Sequence, residues 1–256
     1  MSDTPLLGAF GSGAGRYDRL RPAPPAEAVD FGVPMAAADV ADIGAGTGKL
    51  TVLLVERGHR VVAVEPSVAM RTRLTTRLPG VSVRDARAEA TGLPEAGFDV
   101  VTFAQSWHWV DPAAASRELS RILRPGGYVS MLWTMPDTGV AWVAPIQAAM
   151  HSIPLAQQVA TGPDRRRDPW QSPPSGPFST GERLTTHWSQ PMLRGDLREL
   201  VTTRSYYLEA TSAEQNALRE ATARAVAAEW PDLPEESSVD LPYVTTVLRY
   251  RLSPEE

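Results

Sequence analysis

The stretch VADIGAGTGKLT, residues 40–51, carries an acid, Asp42, near the end of an apolar run and then glycines at 44, 46 and 48. A second acid, Glu65, closes the next apolar run in VVAVEP. Glycines between a strand and a helix let backbone approach a ligand closely and turn the helix's free N–H groups toward it. The spacing departs from the dinucleotide fingerprint G-x-G-x-x-G, because Lys49 stands where the third glycine would fall. Asp42 is a carboxylate for which a pyrophosphate has little use; it can accept hydrogen bonds from loop amides or from a ligand ammonium group. Glu65 stands where α/β nucleotide folds put a carboxylate on ribose hydroxyls. Capping of the helix that starts near Ser67 is its competing role.

The segment FDVVTFAQSWHWVD supplies a further set of reactive types: His108 between Trp107 and Trp109, at the end of an apolar run. His108 is the only histidine expected at the carboxyl end of a core strand, where open α/β sheets place their ligands, and it is the candidate base or orienter. The two tryptophans can line an apolar pocket or pack the core. The other histidines, His59, His151 and His187, lie far apart without metal-ligand spacing, and no cysteine is present. Disulfides, a thiol nucleophile and a cysteine-ligated zinc are therefore excluded, and no metal is expected.

Positioning these residues requires strands that alternate with helices. From residue 40 the chain reads VADIG, KLTVLLVERG, RVVAVE and SVAMRTRLTTRL, then VSVRDAR and FDVVTFAQ. That is the rhythm of βαβ units on a parallel sheet. A helix over 112–124 has Asp111 and Pro112 for its N-cap and first position. After RPGG, YVSMLW reads as a fifth buried strand, and LTTHWSQPM and YVTTVLRYRL can return two more to the sheet. Two helical patterns cover about 195–230, whereas DPWQSPPSGPFSTG is too rich in Pro, Gly and Ser for regular structure.

Composition bounds the rest. At 256 residues and 43% hydrophobic content the chain can bury one sizeable core. A net charge of -5 with Lys49 as the only lysine argues against a general phosphate-backbone binder; the basic run DRRR at 164–167 reads as a solvated loop. No apolar run is long enough to span a bilayer, and no basic-then-apolar signal opens the chain. A soluble, cytoplasmic protein with no membrane or nucleic-acid partner is expected.

As a set, DIGAGTG, VEPSVAM, ARAEATGLP, FDVVTFAQSWHWVD and LRPGGYVSMLW resemble the ordered motifs of class I S-adenosylmethionine-dependent methyltransferases, over about residues 40–133. QSWHW, the opening FGSGAGRYDRLRPAPP, TTRSYYL and LPYVTT are similar to the trans-aconitate methyltransferase-like branch. The resemblance implies a Rossmann-like, doubly wound α/β sheet of about seven mostly parallel strands, with helices on both faces. It implies one domain over 1–256: an N-terminal lid segment (1–35), a cofactor core (36–133), a substrate-side insertion (134–183) and the remaining sheet and lid helices (184–256).

By the same resemblance S-adenosylmethionine is the cofactor and S-adenosylhomocysteine the product. Gly44, Gly46 and Gly48 make room for the cofactor, Asp42 lies near its amino group and Glu65 on its ribose. Pro66 and Met70 pack on the adenine, whose polar edge meets the backbone around Ala88 and Glu89; Gln105 lies by the methionine moiety. Tyr17 joins the cofactor set. Trp107, Trp109, Arg21, Arg204 and Tyr206 are assigned to the substrate, and Arg16 and Arg19 to the lid. Arginine's planar fork suits carboxylates. The chain departs from the family pattern at Arg87, Pro24 and Thr134, where relatives carry a shorter polar residue, an aromatic and often Asn. The expected activity is methyl transfer to an O or N atom of a small carboxylate, phenol or amine. The alternatives are a non-methylating cyclase or binding module on the same scaffold, and, against the glycine spacing, a nicotinamide oxidoreductase.

Overall fold

The structure, a computed structural model, describes residues 14–36, 38–154, 156 and 173–253. The first part of the opening motif, the basic run at 164–167 and the start of the Pro-rich stretch lie outside these residues.

Seven strands form one sheet: β1 (Asp39–Ile43), β2 (Arg60–Val64), β3 (Ser82–Arg84), β4 (Phe98–Ala104), β5 (Leu123–Pro136), β6 (Glu182–Leu193) and β7 (Ser238–Arg251). Their order is β3-β2-β1-β4-β5-β7-β6. The pairs β1–β2, β1–β4, β2–β3 and β4–β5 are all parallel. The chain moves outward from β1 to β3 and then returns to lay β4 on the other side of β1, so the winding reverses between those two strands. Crevices outside the carboxyl ends of the strands at such a reversal are where open α/β sheets bind ligands.

Successive strand residues point to opposite faces. On β4, Val101 and Phe103 join a core cluster with Ile43, Leu119 and Met131, while Val100 joins another with Val40, Leu54 and Leu132. Helices α1 (Ala14–Leu20), α2 (Ala26–Gly32), α3 (Lys49–Glu56), α4 (Val68–Arg77) and α5 (Pro112–Ile122) follow in chain order. On α5 the Asp111 carboxylate accepts from the amides of Ala113 and Ala114 at 2.9 and 3.1 Å, and Leu119 and Ile122 are fully buried. Helices α6 (Val143–Met150), α7 (Arg194–Glu199), α8 (Ser205–Glu209) and α9 (Ser212–Glu229) lie further along the described chain. The Thr211 hydroxyl accepts from the Glu214 amide to start α9, and the Glu214 carboxylate accepts from the Thr211 amide.

Three elements differ from the sequence reading. The lid segment is partly helical, as α1 and α2. The insertion contains α6. The RPGG turn does not precede the fifth strand but lies inside it: Phe98 pairs with Leu123 and Val100 next with Tyr128, so the extra residues loop out of register. The described chain divides into two compact units, each made of three stretches: a helical unit (1–22, 135–166, 187–244) and a sheet unit (23–134, 167–186, 245–256). The helical unit has its own core, in which Val143, Ile146, Met150, Leu197, Val201, Leu218 and Tyr243 are buried together.

Candidate cofactor and active site

The glycine turn leaves β1 with all three glycines at positive φ, 68° at Gly44, 59° at Gly46 and 84° at Gly48, a region costly for residues with a Cβ. At Gly44 an added Cβ would lie 2.4 Å from the Ser106 Cβ. That approach lets the Ser106 hydroxyl donate to Ile43 O at 2.8 Å and ties the end of β4 to the end of β1. The amides of Gly44 and Ala45 both donate to Val64 O, fixing the end of β2 as well. At Gly46, by contrast, an added Cβ would meet no atom within 4 Å. The turn is thus packed tightly at its root and open at its crest, a cradle that fits a ligand approaching backbone.

Both acids lie beside this turn. Asp42 is fully buried, and its carboxylate is held by two hydroxyls: Thr51 Oγ1 donates to it at 2.6 Å and Thr102 Oγ1 at 2.9 Å. Burial pushes its pKa up to about 6, against the two hydroxyl bonds. Thr51 and Thr102 were missed in the sequence, where each is a lone hydroxyl in an apolar run. Glu65 is 7% exposed. One of its oxygens accepts from the Gly46 amide and the other from the Ser67 amide, each at 2.8 Å. It therefore braces the turn and meets the N-cap residue of α4 together. Burial raises its pKa, opposed first by those two amide bonds.

Arg71, also missed, donates to Glu65 O at 2.8 Å and forks onto both oxygens of Asp85 at 2.8 and 2.7 Å. It thereby holds together the chain leaving β2 and β3. Met70 and Ala88 are buried, Pro66 is half-buried, and the Glu89 carboxylate accepts from the Asp111 amide at 2.9 Å. Gln105 has φ 58°, a sparsely populated conformation for a side-chain-bearing residue. Its side-chain amide donates to Thr134 O at 2.5 Å, and its backbone amide to Leu132 O.

The WHW triplet forms a single 3-10 turn, Trp107–Trp109. With three residues per turn, successive side chains diverge by about 120°, and this separates the tryptophans. The expectation for Trp107 is corrected: it is 2% exposed, edge-on to Phe103 at 5.0 Å, and part of the core. Trp109 is 44% exposed, its ring 5.0 Å from that of the half-buried His108.

The remaining expected residues belong to the helical unit. Arg21 donates to the Thr203 hydroxyl at 2.9 Å and to Thr203 O at 3.3 Å, and its guanidinium lies 5.7 Å from the Tyr17 ring centre. Arg204 is 6% exposed and donates to Gln147 Oε1 at 3.1 Å. The Tyr206 hydroxyl, expected on substrate, donates instead to Met150 O at 2.9 Å, tying the short helix α8 to the end of α6. Arg16 and Arg19 pair with Glu199 and Asp196. Among the described residues no group of three or more His, Asp or Glu could hold a metal ion, and no helix is long and apolar enough to cross a membrane.

A Rossmann-like sheet of seven strands that reverses between β1 and β4, with a glycine turn and two buried acids at that reversal, defines the class I S-adenosylmethionine-dependent methyltransferases. The chain belongs to this methyltransferase family. The family described as "Methyltransferase domain" matches residues 41–131. An uncharacterized methyltransferase of Mycobacterium tuberculosis is 38% identical over 245 residues, 96% of each chain. Among solved structures, a candidate type II methyltransferase from Anaeromyxobacter dehalogenans is 28% identical with a TM-score of 0.68, over 92% of this chain and 99% of that one. Geranyl diphosphate C-methyltransferase from Streptomyces coelicolor, solved with S-adenosylhomocysteine, shares the fold at 15% identity and a TM-score of 0.52, over 98% and 99% of the chains. These relatives do not single out the trans-aconitate methyltransferase-like branch.

Proposed function

We propose that the protein binds S-adenosylmethionine and transfers its methyl group to an O or N atom of a small molecule, releasing S-adenosylhomocysteine. The carrying observation is the turn 44–48, with Gly46 open to a ligand and Glu65 and Asp42 buried beside it. When bound, the cofactor supplies an electrophilic methyl group on a sulfonium whose departure needs no proton. The chain therefore has to hold, align and dehydrate. Alignment of this kind can supply about 7–11 kcal/mol of a barrier.

Glu65 has one bond to each oxygen and keeps lone pairs for two ribose hydroxyls. Pro66 and Met70 offer apolar surface for the adenine, and the backbone around Ala88 and Glu89 its polar edge. Gln105, fixed by two hydrogen bonds at the end of β4, addresses the methionine moiety, and Tyr17 completes the cofactor set. His108 and the exposed Trp109 serve the acceptor, His108 as base where a proton must leave and as orienter where none does. Arg21 and Arg204 are the acceptor residues of the helical unit, and Tyr206, its hydroxyl donated to Met150 O, offers the acceptor only its ring. The protein works without a membrane or nucleic acid, in the cytoplasm.

Calorimetry with S-adenosylmethionine, S-adenosylhomocysteine and NAD tests the cofactor; heat from the first two and none from NAD is expected, and the reverse overturns the reading. Release of S-adenosylhomocysteine with an acceptor separates a methyltransferase from a binding module or cyclase on the same fold.

A further inference from the structure

Among the described residues the helical unit contains three guanidiniums that no carboxylate balances, those of Arg21, Arg194 and Arg204, of which Arg21 and Arg204 are linked through Thr203. Arg16, Arg19, Arg198, Arg219 and Arg224 show the contrast, each pairing with Glu or Asp. Among the described residues neither Arg21 nor Arg204 has such a partner. Arg21 is anchored on Thr203, the residue next to Arg204, and the charge of Arg204 reaches it: burial first, then Arg204, lowers the Arg21 pKa to about 10. Buried charge left unpaired is costly.

Unused donors accompany this charge. Arg204 is 6% exposed and its Nη2 is held by Gln147, yet its Nε is buried without a hydrogen-bond partner among the described residues. The Tyr243 hydroxyl is likewise buried and unpartnered, on a side chain 2% exposed and stacked on Trp188 at 5.2 Å. Tyr243 and Tyr206 are buried in one cluster with Leu20, the neighbour of Arg21, and with Val201 on the turn that leads to Arg204, and both arginines act electrostatically on the two phenols. Tyr206 has spent its hydroxyl on Met150 O, so Tyr243 and not Tyr206 is the phenol with a bond to give.

We propose that Arg21, Arg204 and the Tyr243 hydroxyl form a carboxylate-binding site in the helical unit, and that the methyl acceptor is an organic acid held there. The second half rests on the methyltransferase reading above; the site itself does not. A planar carboxylate matches a guanidinium edge and one phenol. A phosphate is met by backbone amides at a helix start or glycine turn as well, and here the Arg204 amide is already donated to Val201 O. Tyr243 lies in a strand, and its hydroxyl adds a directed neutral donor that fits the second carboxylate oxygen.

Thermal unfolding without S-adenosylmethionine tests the site, with sodium succinate and sodium citrate compared with sodium chloride and sodium phosphate at matched ionic strength. The wild-type midpoint should rise by several degrees more in the organic acids than in either inorganic salt. Arg204→Met should lose that excess while being no less stable in chloride, since its uncompensated charge is gone. Where Arg204→Met does not fold, Tyr243→Phe, which removes one oxygen, should lose at least half of the excess. An equal rise in wild type and variant, a rise led by phosphate, or no acid-specific rise overturns the site. For the acceptor, radiolabelled methyl transfer to carboxylic acids is compared with transfer to their amides: acids should be preferred, with KM raised at least tenfold in Arg204→Met. Preference for the amides overturns the acceptor assignment alone. Failure to bind S-adenosylmethionine, with the acid-specific rise intact, overturns the methyltransferase reading and leaves the site standing.

Discussion

Glu65 has two duties, bracing the turn through Gly46 and Ser67 and, in the proposed complex, accepting from ribose hydroxyls. Charged hydrogen bonds of this sort contribute about 1.5–3 kcal/mol each. Glu65→Ala should therefore weaken S-adenosylmethionine binding by about tenfold to several hundredfold, measured by calorimetry. An unchanged dissociation constant with a lowered melting temperature would assign Glu65 to the turn alone. His108 reports on the acceptor. If the acceptor atom must lose a proton to it, His108→Ala should lower kcat by about 10²–10⁴-fold with cofactor affinity intact. For a carboxylate oxygen, already ionised, the loss should be smaller and lie mainly in KM. Steady-state kinetics on the true substrate decides, and unaltered kcat and KM would leave His108 a packing role beside Trp109.

At the level of the element, the turn between β1 and α3 has a root and a crest with different sensitivities. Gly44→Ala must accommodate both φ 68° and a Cβ 2.4 Å from that of Ser106. It should destabilise the fold by roughly 2–4 kcal/mol, from backbone strain plus overpacking. Gly46→Ala carries only the left-handed cost of about 1–2 kcal/mol, because its Cβ meets no protein atom within 4 Å. Its expected defect is in S-adenosylmethionine affinity, by more than tenfold. Denaturant melts and calorimetry on the two variants should thus give opposite rankings; equal loss of stability in both would show the crest to be as constrained as the root.

For the whole molecule one pH effect on stability belongs to Asp42, whose pKa rises from 3.8 to about 6 on burial. Between those values the folded protein keeps a proton that the unfolded chain has released. Stability therefore falls as pH rises through that window, by up to about 3 kcal/mol. Burial raises Glu65 in the same direction. Asp39, held down by Arg60, and Glu118, held down by Arg121, act oppositely and lose stability only as pH falls into the acid range. His59 and His151, whose pKa values burial lowers, also act oppositely and weaken the fold as pH falls below about 6.5, so the Asp42 share is read as the difference in melting temperature between the ligand-free wild type and Asp42→Asn from pH 7.5 to pH 5. Asp42→Asn should lose the share of that slope that favours low pH and raise stability at pH 7.5, while weakening the cofactor if Asp42 serves its amino group. A slope unchanged in Asp42→Asn would place its origin elsewhere.

Period and punctuation carried much of this in the sequence alone: all seven strands, the capped helix after Asp111, the glycine turn and the family were legible, because they depend on local spacing and on backbone demands that only certain residues meet. Which partner each polar group takes depends on residues distant in the chain, and only the tertiary structure decided it. Asp42 meets Thr102 across the β1–β4 pairing, 60 positions away. Arg71 clamps the chain after two neighbouring strands. Trp107 and Trp109, alike in sequence, part company because a 3-10 turn sends one into the core and the other toward solvent. Tyr243 went unread beside Tyr206 for the same reason: both are tyrosines near arginines, and folding gives one hydroxyl a carbonyl and leaves the other buried with none. Hydrogen-bond satisfaction is a property of three-dimensional neighbours, and no spacing along the chain encodes it.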